Sequence, residues 1–261
     1  MNRLLHELRL AGTALQAFTR FPVPAWVGWS PAQAQAGVRY LPVVGLLAGA
    51  LAAAVHAAAS RWWPAPVAVL LSMVATLLVT GAFHEDGLAD SADGLGGGGP
   101  DRARVLSILQ DPRLGSFGVI ALVMALALKY QLLAALPFER FAAVSIAAHA
   151  ASRCSALWVM VRLPYLRDDG PSKSRPMAGR RLSLGAFGFG VMVTLPALAV
   201  LGAPSALAVL GTAGVVGAAA AVWLRRRLGG WVGDILGAVQ QCTELAVLMA
   251  CVACNGAVSH G

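Results

Sequence analysis

Charged residues are scarce in this sequence. Asp, Glu, Lys and Arg together make up 12% of the 261 residues, acidic side chains number only 12, and aromatic residues account for 7%. So little charge excludes a chain kept unfolded by charge repulsion and hydration. It also means that any cluster of acids needs a specific explanation.

Cysteine is equally rare, with four residues that all lie in or beside apolar segments. That number and placement do not indicate a disulfide-stabilised secreted scaffold. Cys251-x-x-Cys254 could bind metal or undergo redox chemistry, but no second pair and no histidine cluster lies beside it in the sequence. We therefore interpret the cysteines as packed thiols.

Apolar residues are what the sequence has in excess. They make up 58% of the chain, and the mean hydropathy is +0.70, too high for a soluble protein of this length. Seven stretches each approach the roughly 20 residues that cross a bilayer, at about 40–60, 65–83, 116–136, 141–162, 184–202, 204–223 and 236–256. We expect an all-α polytopic membrane bundle of six to seven spans, folded as one domain over residues 1–261; six applies if the fifth and sixth stretches form one helical hairpin.

The first twenty residues have an amphipathic pattern. Apolar residues recur at helical spacing, and Pro22 and Pro24 follow them. The pattern predicts an interfacial helix on the membrane surface. A short helix packed on the bundle is the alternative.

The basic residues predict the orientation of the chain in the membrane. With the N-terminus in the cytoplasm, all but four of the 20 Lys and Arg residues fall on the cytoplasmic side; Arg61 and Arg140 lie outside, and Lys129 and Arg153 lie within spans. This orientation explains the net charge of +8 without a nucleic-acid partner, since no basic and aromatic platform is present. This orientation places a loop of about residues 84–115 and a basic loop of about 162–183 in the cytoplasm. We expect the protein itself to lie in the inner membrane of the cell.

The segment 84–99 reads HEDGLADSADGLGGGG and holds four of the twelve acids. On a helix, Asp86, Asp90 and Asp93 share one face, which predicts a site for Mg²⁺, or for Mn²⁺ as an alternative. Glu85 points about 100° away on a helix of 3.6 residues per turn and is an accessory metal ligand at most. A polar loop between two spans is the competing interpretation.

Other residues are candidates for binding a phosphorylated substrate. Arg113 can direct a planar guanidinium at a phosphate, and Lys129 and Arg153 are functional candidates because ionisable groups inside a membrane are costly. The further candidates are His84, the glycines Gly94, Gly96 and Gly97, the acids Asp111 and Asp234, and Lys173 and Arg175 for a phosphate or an anionic lipid. Asp86, Asp90, Asp93 and Arg113 are the predicted catalytic set, with Asp90 or Asp93 as the general base.

Several motifs resemble the cobalamin synthase family, also called adenosylcobinamide-GDP ribazoletransferases. They are HEDGLADSADGL at 84–95, QDPRLGSFG at 110–118, FTRFPVP at 18–24, YLPVVG at 40–45, Arg153 and GGWVGDILGA at 229–238. Glu85, Gln110, Pro112 and the pair Trp231-Val232 depart from the family pattern, but no carboxylate or arginine of that pattern is missing.

The resemblance implies the last joining step of cobalamin assembly. Adenosylcobinamide-GDP would be attacked by the 5′ hydroxyl of α-ribazole, or by its 5′-phosphate form, and GMP would leave. The implied partners are these two small molecules and the lipid bilayer; the sequence leaves a homo-oligomer open.

Two other functions remain to be distinguished from this one. Asp86-Gly87, Ala89, Asp90 and Asp93-Gly94 loosely echo the motif of CDP-alcohol phosphotransferases, although no Arg follows Ala89 and the later Asp pair is missing. A cation transporter is less favoured, because only Glu244 among the acids lies inside a predicted span. A membrane scaffold would not need the three aspartates together.

Overall fold

A computed structural model describes residues 3–166 and 181–259, and this part of the chain folds into helices without a β-strand. The α-helices are α1 Arg3–Phe18, α2 Pro31–Gly37, α3 Leu41–Ala59, α4 Ala65–Thr80, α5 Phe83–Gly97, α6 Arg102–Ile108, α7 Ser116–Ala134, α8 Phe138–Arg162, α9 Leu184–Ala199, α10 Ala203–Arg227 and α11 Gly233–Ser259.

The predicted membrane spans all coincide with helices. Five helical runs are long and apolar enough to cross a membrane: Pro31–Ala59, α7, α8, α10 and the part Gly233–Asn255 of α11. The number is six if α4 and α5, which meet at a bend of 86°, are counted as one span, and α9 is a shorter apolar helix. The expected all-α polytopic membrane bundle is therefore confirmed.

Helix α8 is the centre of the bundle and packs against α3, α9, α10 and α11. Its side chains are buried for most of its length, so the surrounding helices separate it from lipid. Small residues allow the close approach of α3: a Cβ added at Gly49 would lie 2.5 Å from the Cα of Ile146. Close helix approach through glycine is typical of helix packing in lipid.

Two arginines mark opposite ends of the 25-residue helix α10. Near its start, the guanidinium of Arg140 donates to the carbonyl of Leu201 at 3.1 Å and to Ser205 Oγ at 3.3 Å. At its end, Arg227 donates to the carbonyls of Pro100, at 2.9 Å, and Gly99. These two ends are the ones that the distribution of basic residues assigns to opposite sides of the membrane.

Helix α1 combines features of both interpretations made for it. Leu10, Ala14 and Phe18 are buried and pack in the core, whereas Leu4 and Leu8 are 65% and 49% exposed. The second half is thus a packed helix, and the first half presents leucines outward.

The basic loop predicted at 162–183 falls mostly on residues 167–180, outside the described residues. Lys173 and Arg175 belong to that part. Its start, up to Leu166, lies beside the segment that precedes α11, where Trp231 Nε1 donates to the carbonyl of Leu163 at 3.1 Å.

Candidate active site on a helix beside the bundle

Helix α5 carries the acidic motif and turns away from α4 by 86°. The turn is made by Gly81 and Ala82, which both have left-handed backbone, with φ of 66° and 55°. Only glycine adopts this conformation without strain, so Ala82 is a strained residue. Arg20 lies against the turn, because a Cβ added at Gly81 would be 2.9 Å from its Nε.

Close contact with α11 fixes the position of α5. A Cβ added at Gly87 would lie 2.7 Å from the carbonyl oxygen of Asp234, and one added at Gly237 would lie 3.1 Å from that of His84. The absence of side chains at Gly87 and Gly237 therefore allows the backbones of α5 and α11 to come into direct contact. The contact places Asp234, in the first turn of α11, beside the segment that carries Asp86 and Asp90.

The three predicted aspartate ligands do not share one environment. Asp86 is exposed and Asp90 is partly buried, but Asp93 is only 9% exposed. Both Asp93 carboxylate oxygens accept backbone hydrogen bonds, from Gly115 N–H at 2.7 Å and Gly118 N–H at 2.8 Å. Asp93 thus caps the N-terminus of α7, where a negative charge is favourable.

Within residues 3–166 and 181–259, no three His, Cys, Asp or Glu side chains are close enough to hold one metal ion. Asp86, Asp90 and Asp93 are therefore not gathered into a three-carboxylate group here, because Asp93 bonds to the start of α7, and their role as metal ligands stays a prediction. Asp86 and Asp90 remain one helical turn apart on α5. Mg²⁺ is commonly held by one or two carboxylates together with substrate phosphates, and two carboxylates at this spacing fit that mode.

Glu85 is buried and directed into the bundle rather than toward Asp86. Its Oε1 accepts a hydrogen bond from Gln241 Nε2 at 2.9 Å, and the same Nε2 donates to Gln240 Oε1 at 2.9 Å. Gln240 Nε2 in turn donates to Glu244 Oε2 at 2.6 Å. In this structure the Glu85 carboxylate joins α5 to α11, which favours a structural role over that of an accessory metal ligand.

Lys129 and Arg153, both predicted to bind substrate, are buried inside the bundle, where Lys129 forms an ion pair and Arg153 is hydrogen-bonded to a backbone carbonyl. Lys129 Nζ lies 2.5 Å from Glu244 Oε1, and His149 Nδ1 lies 3.3 Å from Glu244 Oε2. Arg153, only 1% exposed, donates to the carbonyl of His149 at 2.7 Å. A buried charge is costly without a partner, so the Lys129–Glu244 pair and the hydrogen bond of Arg153 to His149 link α7, α8 and α11 inside the bundle.

His84 is also turned inward, with 4% of its surface exposed. It lines a small apolar cavity of about 30 Å³ together with Phe18 and Trp231, and it packs edge to face on Phe83. The structure therefore gives His84 no contact with the exposed side of α5 where a phosphate would bind.

The glycines at the end of α5 make room for neighbouring helices. A Cβ at Gly94 would lie 2.9 Å from Leu109 Cγ, and one at Gly96 would lie 2.7 Å from the Phe117 ring. Helix packing thus accounts for Gly94 and Gly96 without a phosphate. Gly97 differs, since its nearest contact would be an ordinary 3.5 Å to Ile108.

Arg113 and Asp111 form an exposed pair in the loop before α7. Arg113 Nε donates to Asp111 Oδ1 at 2.9 Å, and its Nη2 lies 2.5 Å from Oδ2, while the arginine side chain is 86% exposed. Hydrogen bonds from the guanidinium and then the backbone amide of Arg113 lower the pKa of Asp111 to about 2. The Asp111 carboxylate therefore fixes the orientation of the solvent-exposed Arg113 side chain.

Sequence reasoning missed four polar groups on α8 and α11 that the bundle brings together around Glu244: His149, Ser152, Gln240 and Gln241. Gln240 and Glu244 were detectable as a polar pair at helical spacing in an otherwise apolar segment. The partners come from α5, α7 and α8, and no local pattern identifies them.

Comparison with known proteins matches the chain over nearly its full length. A family model described as cobalamin-5-phosphate synthase matches residues 11–252. The adenosylcobinamide-GDP ribazoletransferases of Leptothrix cholodnii and Ralstonia pickettii are 44% and 45% identical, each covering 95% of this chain and 97% and 96% of their own. That of Shewanella amazonensis is 39% identical over 95% of this chain and 96% of its own. No solved structure matches the chain.

Proposed function

Because this chain belongs to the cobalamin-5-phosphate synthase family, we propose that it is an adenosylcobinamide-GDP ribazoletransferase of cobalamin biosynthesis. The observation that carries the proposal is the 44% identity with the Leptothrix cholodnii enzyme of that name, over 95% of this chain. The structure contributes two neighbouring carboxylates, exposed Asp86 and partly buried Asp90, on a helix beside a membrane bundle.

The proposed reaction breaks the pyrophosphate bond of adenosylcobinamide-GDP. A ribose hydroxyl of α-ribazole attacks the phosphorus nearer the corrinoid, a new phosphodiester bond forms, and GMP leaves with the electrons of the broken P–O bond. The expected 5′ nucleophile does not suit the 5′-phosphate acceptor, whose 5′ oxygen is already esterified. Since the family is described by a 5-phosphate product, we propose another hydroxyl of the ribose as the nucleophile.

Asp86 and Asp90 are the proposed ligands for Mg²⁺, with Mn²⁺ as a possible substitute. When bound, the metal neutralises charge on the phosphate oxygens. Asp90 is the proposed general base, because both oxygens of the other candidate, Asp93, already accept backbone hydrogen bonds. Asp234 lies beside this pair, and exposed Arg113, oriented by Asp111, supplies positive charge for the substrate phosphates.

The relatives also separate this function from its rivals. Both the CDP-alcohol phosphotransferase and the cation transporter rested on local patterns, whereas the family similarity extends over residues 11–252. In addition, the acid that a transporter would use, Glu244, is paired with Lys129. We do not retain either alternative.

An assay on the purified full-length protein in vesicles tests the proposal. Adenosylcobinamide-GDP, α-ribazole and Mg²⁺ should yield GMP, and a chelator should stop its release. Asp90→Asn should lower GMP release by about 10²–10⁴-fold, the range typical of general acid–base catalysis. Asp101→Asn is the matched control: Asp101 caps α6 through the Ala103 N–H at 2.8 Å, and asparagine caps equally well. Unchanged turnover in Asp90→Asn would remove Asp90 from the mechanism.

We further propose that α5 lies on the cytoplasmic face of the inner membrane. In a variant without native cysteines, Arg104→Cys and Arg61→Cys place single thiols at exposed positions, one near α5 and one in the α3–α4 loop. An impermeant maleimide added to intact spheroplasts should label only Arg61→Cys, and lysis should expose Arg104→Cys. The reverse labelling pattern would invert the topology.

A further inference from the structure

A cleft of about 320 Å³ lies between α8, α9 and α10, far larger than the cavity of about 30 Å³ beside His84. Its walls run from Ala151 to Trp158 on α8, from Phe187 to Thr194 on α9 and from Leu210 to Ala218 on α10. These segments belong to apolar helices, two of which are long enough to cross a membrane. The cleft therefore lies within the bilayer region.

The lining of the cleft is mostly apolar, and its two hydroxyl groups already donate to backbone carbonyls. Thr194 Oγ1 donates to the Gly190 carbonyl at 3.0 Å and contacts Cys154 Sγ at 3.4 Å, while Ser155 Oγ donates to the Ala213 carbonyl at 2.9 Å. A bound water needs two to four polar partners, so this cleft suits an apolar chain.

Helix packing does not account for the whole width of the cleft. A Cβ at Gly217 would lie 3.3 Å from Ser155, but one at Gly214 would meet nothing within 4 Å. Leu210, Gly214 and Ala218 line the cleft and are also exposed at the protein surface. The cleft therefore opens sideways, toward the acyl chains of the bilayer.

Arginine side chains lie at one end of the cleft and make that end positively charged. The Arg162 guanidinium lies 5.4 Å from the ring centre of Trp158, which in turn packs at 5.2 Å on Phe187, and both rings line the cleft. Arg162 is exposed at the end of α8 and precedes Leu163, whose carbonyl accepts a hydrogen bond from Trp231 just before α11. Exposed Arg181, before α9, and Arg225, at the end of α10, add to the charge at this end.

We propose that this cleft binds one acyl chain of an anionic phospholipid, with the lipid phosphate at Arg162. Each feature matches one part of that molecule: the apolar walls fit the chain, the lateral opening admits it from the bilayer, and the basic end binds the phosphate. The lipid site is separate from the carboxylates of α5.

Photo-crosslinking on the full-length protein in vesicles tests the site. The probe is phosphatidylglycerol with a diazirine on one acyl chain, at low mole fraction in phosphatidylcholine, and adducts are mapped by mass spectrometry. Wild-type protein should carry adducts on α8, α9 or α10 at the cleft. Gly214→Leu should lower them at least fivefold, because the new side chain fills the cleft without a backbone clash.

Gly211→Leu is the matched control, since a Cβ there also meets nothing within 4 Å and Gly211 does not line the cleft; its adduct yield should stay within twofold of wild type. Ala218→Leu repeats the test if Gly214→Leu loses its thermal transition. Arg162→Gln should lower adducts from phosphatidylglycerol but not from the matching phosphatidylcholine probe.

Equal adduct yields in wild type and both cleft variants would overturn the proposal. So would displacement of the probe by α-ribazole, which would make the cleft a substrate site, or crosslinking to a second copy of the chain in place of lipid. None of these outcomes depends on GMP release, so they are distinguishable from failure of the proposed reaction.

Discussion

Lys129 on α7 and Glu244 on α11 form an ion pair, with 2.5 Å between Nζ and Oε1, and their side chains are 5% and 2% exposed. His149 and Gln240 contact the other oxygen of the same carboxylate. A buried charge that keeps its partner is tolerated, whereas one that loses it is strongly destabilising.

Glu244→Gln should therefore lower the free energy of unfolding by about 3–5 kcal/mol, because it leaves the Lys129 charge without its partner. Thermal unfolding of the detergent-solubilised protein measures the loss. Glu139→Gln, at an exposed acid in the first turn of α8, should change stability by no more than about 0.5 kcal/mol. Lys129→Met with Glu244→Leu should recover part of the loss, and a double variant less stable than Glu244→Gln would contradict this account.

Asp93→Asn should destabilise the protein by about 1–2 kcal/mol, because the amide keeps one acceptor oxygen and loses the negative charge at the start of α7. Faster hydrogen exchange at the amides of Gly115 and Gly118 should accompany the loss. Asp86→Asn, at an exposed position on the same helix, should leave the melting temperature unchanged. An Asp93→Asn variant that is fully stable yet inactive would return Asp93 to the catalytic set.

Gly87→Ala and Gly97→Ala should behave differently, although both lie in α5. The first places a Cβ 2.7 Å from the Asp234 carbonyl oxygen and must separate α5 from α11, whereas the second makes only a 3.5 Å contact. Gly87→Ala should lower both the melting temperature and GMP release, and Gly97→Ala should leave the melting temperature equal or higher, since alanine favours helix. Loss of activity in a stable Gly97→Ala protein would support the earlier hypothesis that phosphate approaches this backbone.

Asp111 should stay ionised to lower pH than an ordinary aspartate. Its pKa falls from 3.8 to about 2 beside Arg113, so the pair contributes fully above pH 3.8 and its contribution is lost as the pH falls toward 2. The carboxyl carbon shift of labelled Asp111 should show no titration between pH 8 and 4. Arg113→Gln should return the midpoint toward 3.8, and an unchanged midpoint in that variant would rule out Arg113 as the cause.

The sequence predicts the positions of the helices well, but it predicts poorly which residues contact one another across different helices. Apolar length locates α3, α4 and α7 to α11, because crossing a bilayer requires a long apolar helix. Periodicity places Asp86, Asp90 and Asp93 on one face, but it cannot show that the start of α7 folds back onto Asp93. The signal available was Gly115 and Gly118, whose missing side chains let backbone amides reach a carboxylate.

The charged residues inside spans show the same limit. Lys129, Arg153 and Glu244 are each visible in the sequence as costly groups in an apolar helix. Assigning Lys129 to Glu244 requires the packing of α7 against α11, which is a property of the whole bundle. Glu85 shows a related effect: it lies one helical position from Asp86, which moves its side chain from the outer side of α5 to the α11 side.

The right-angled turn before α5 also determines how a bulky substrate can reach the enzyme. Asp86 in the first turn and Gly96 near the end of α5 are both exposed, and ten helical residues separate them by about 15 Å. With α5 on the cytoplasmic face, as we propose, a large corrinoid nucleotide can lie along this helix from the water side. Substrate binding and product release then do not require the membrane helices to separate. The bundle would therefore remain impermeable to ions during turnover.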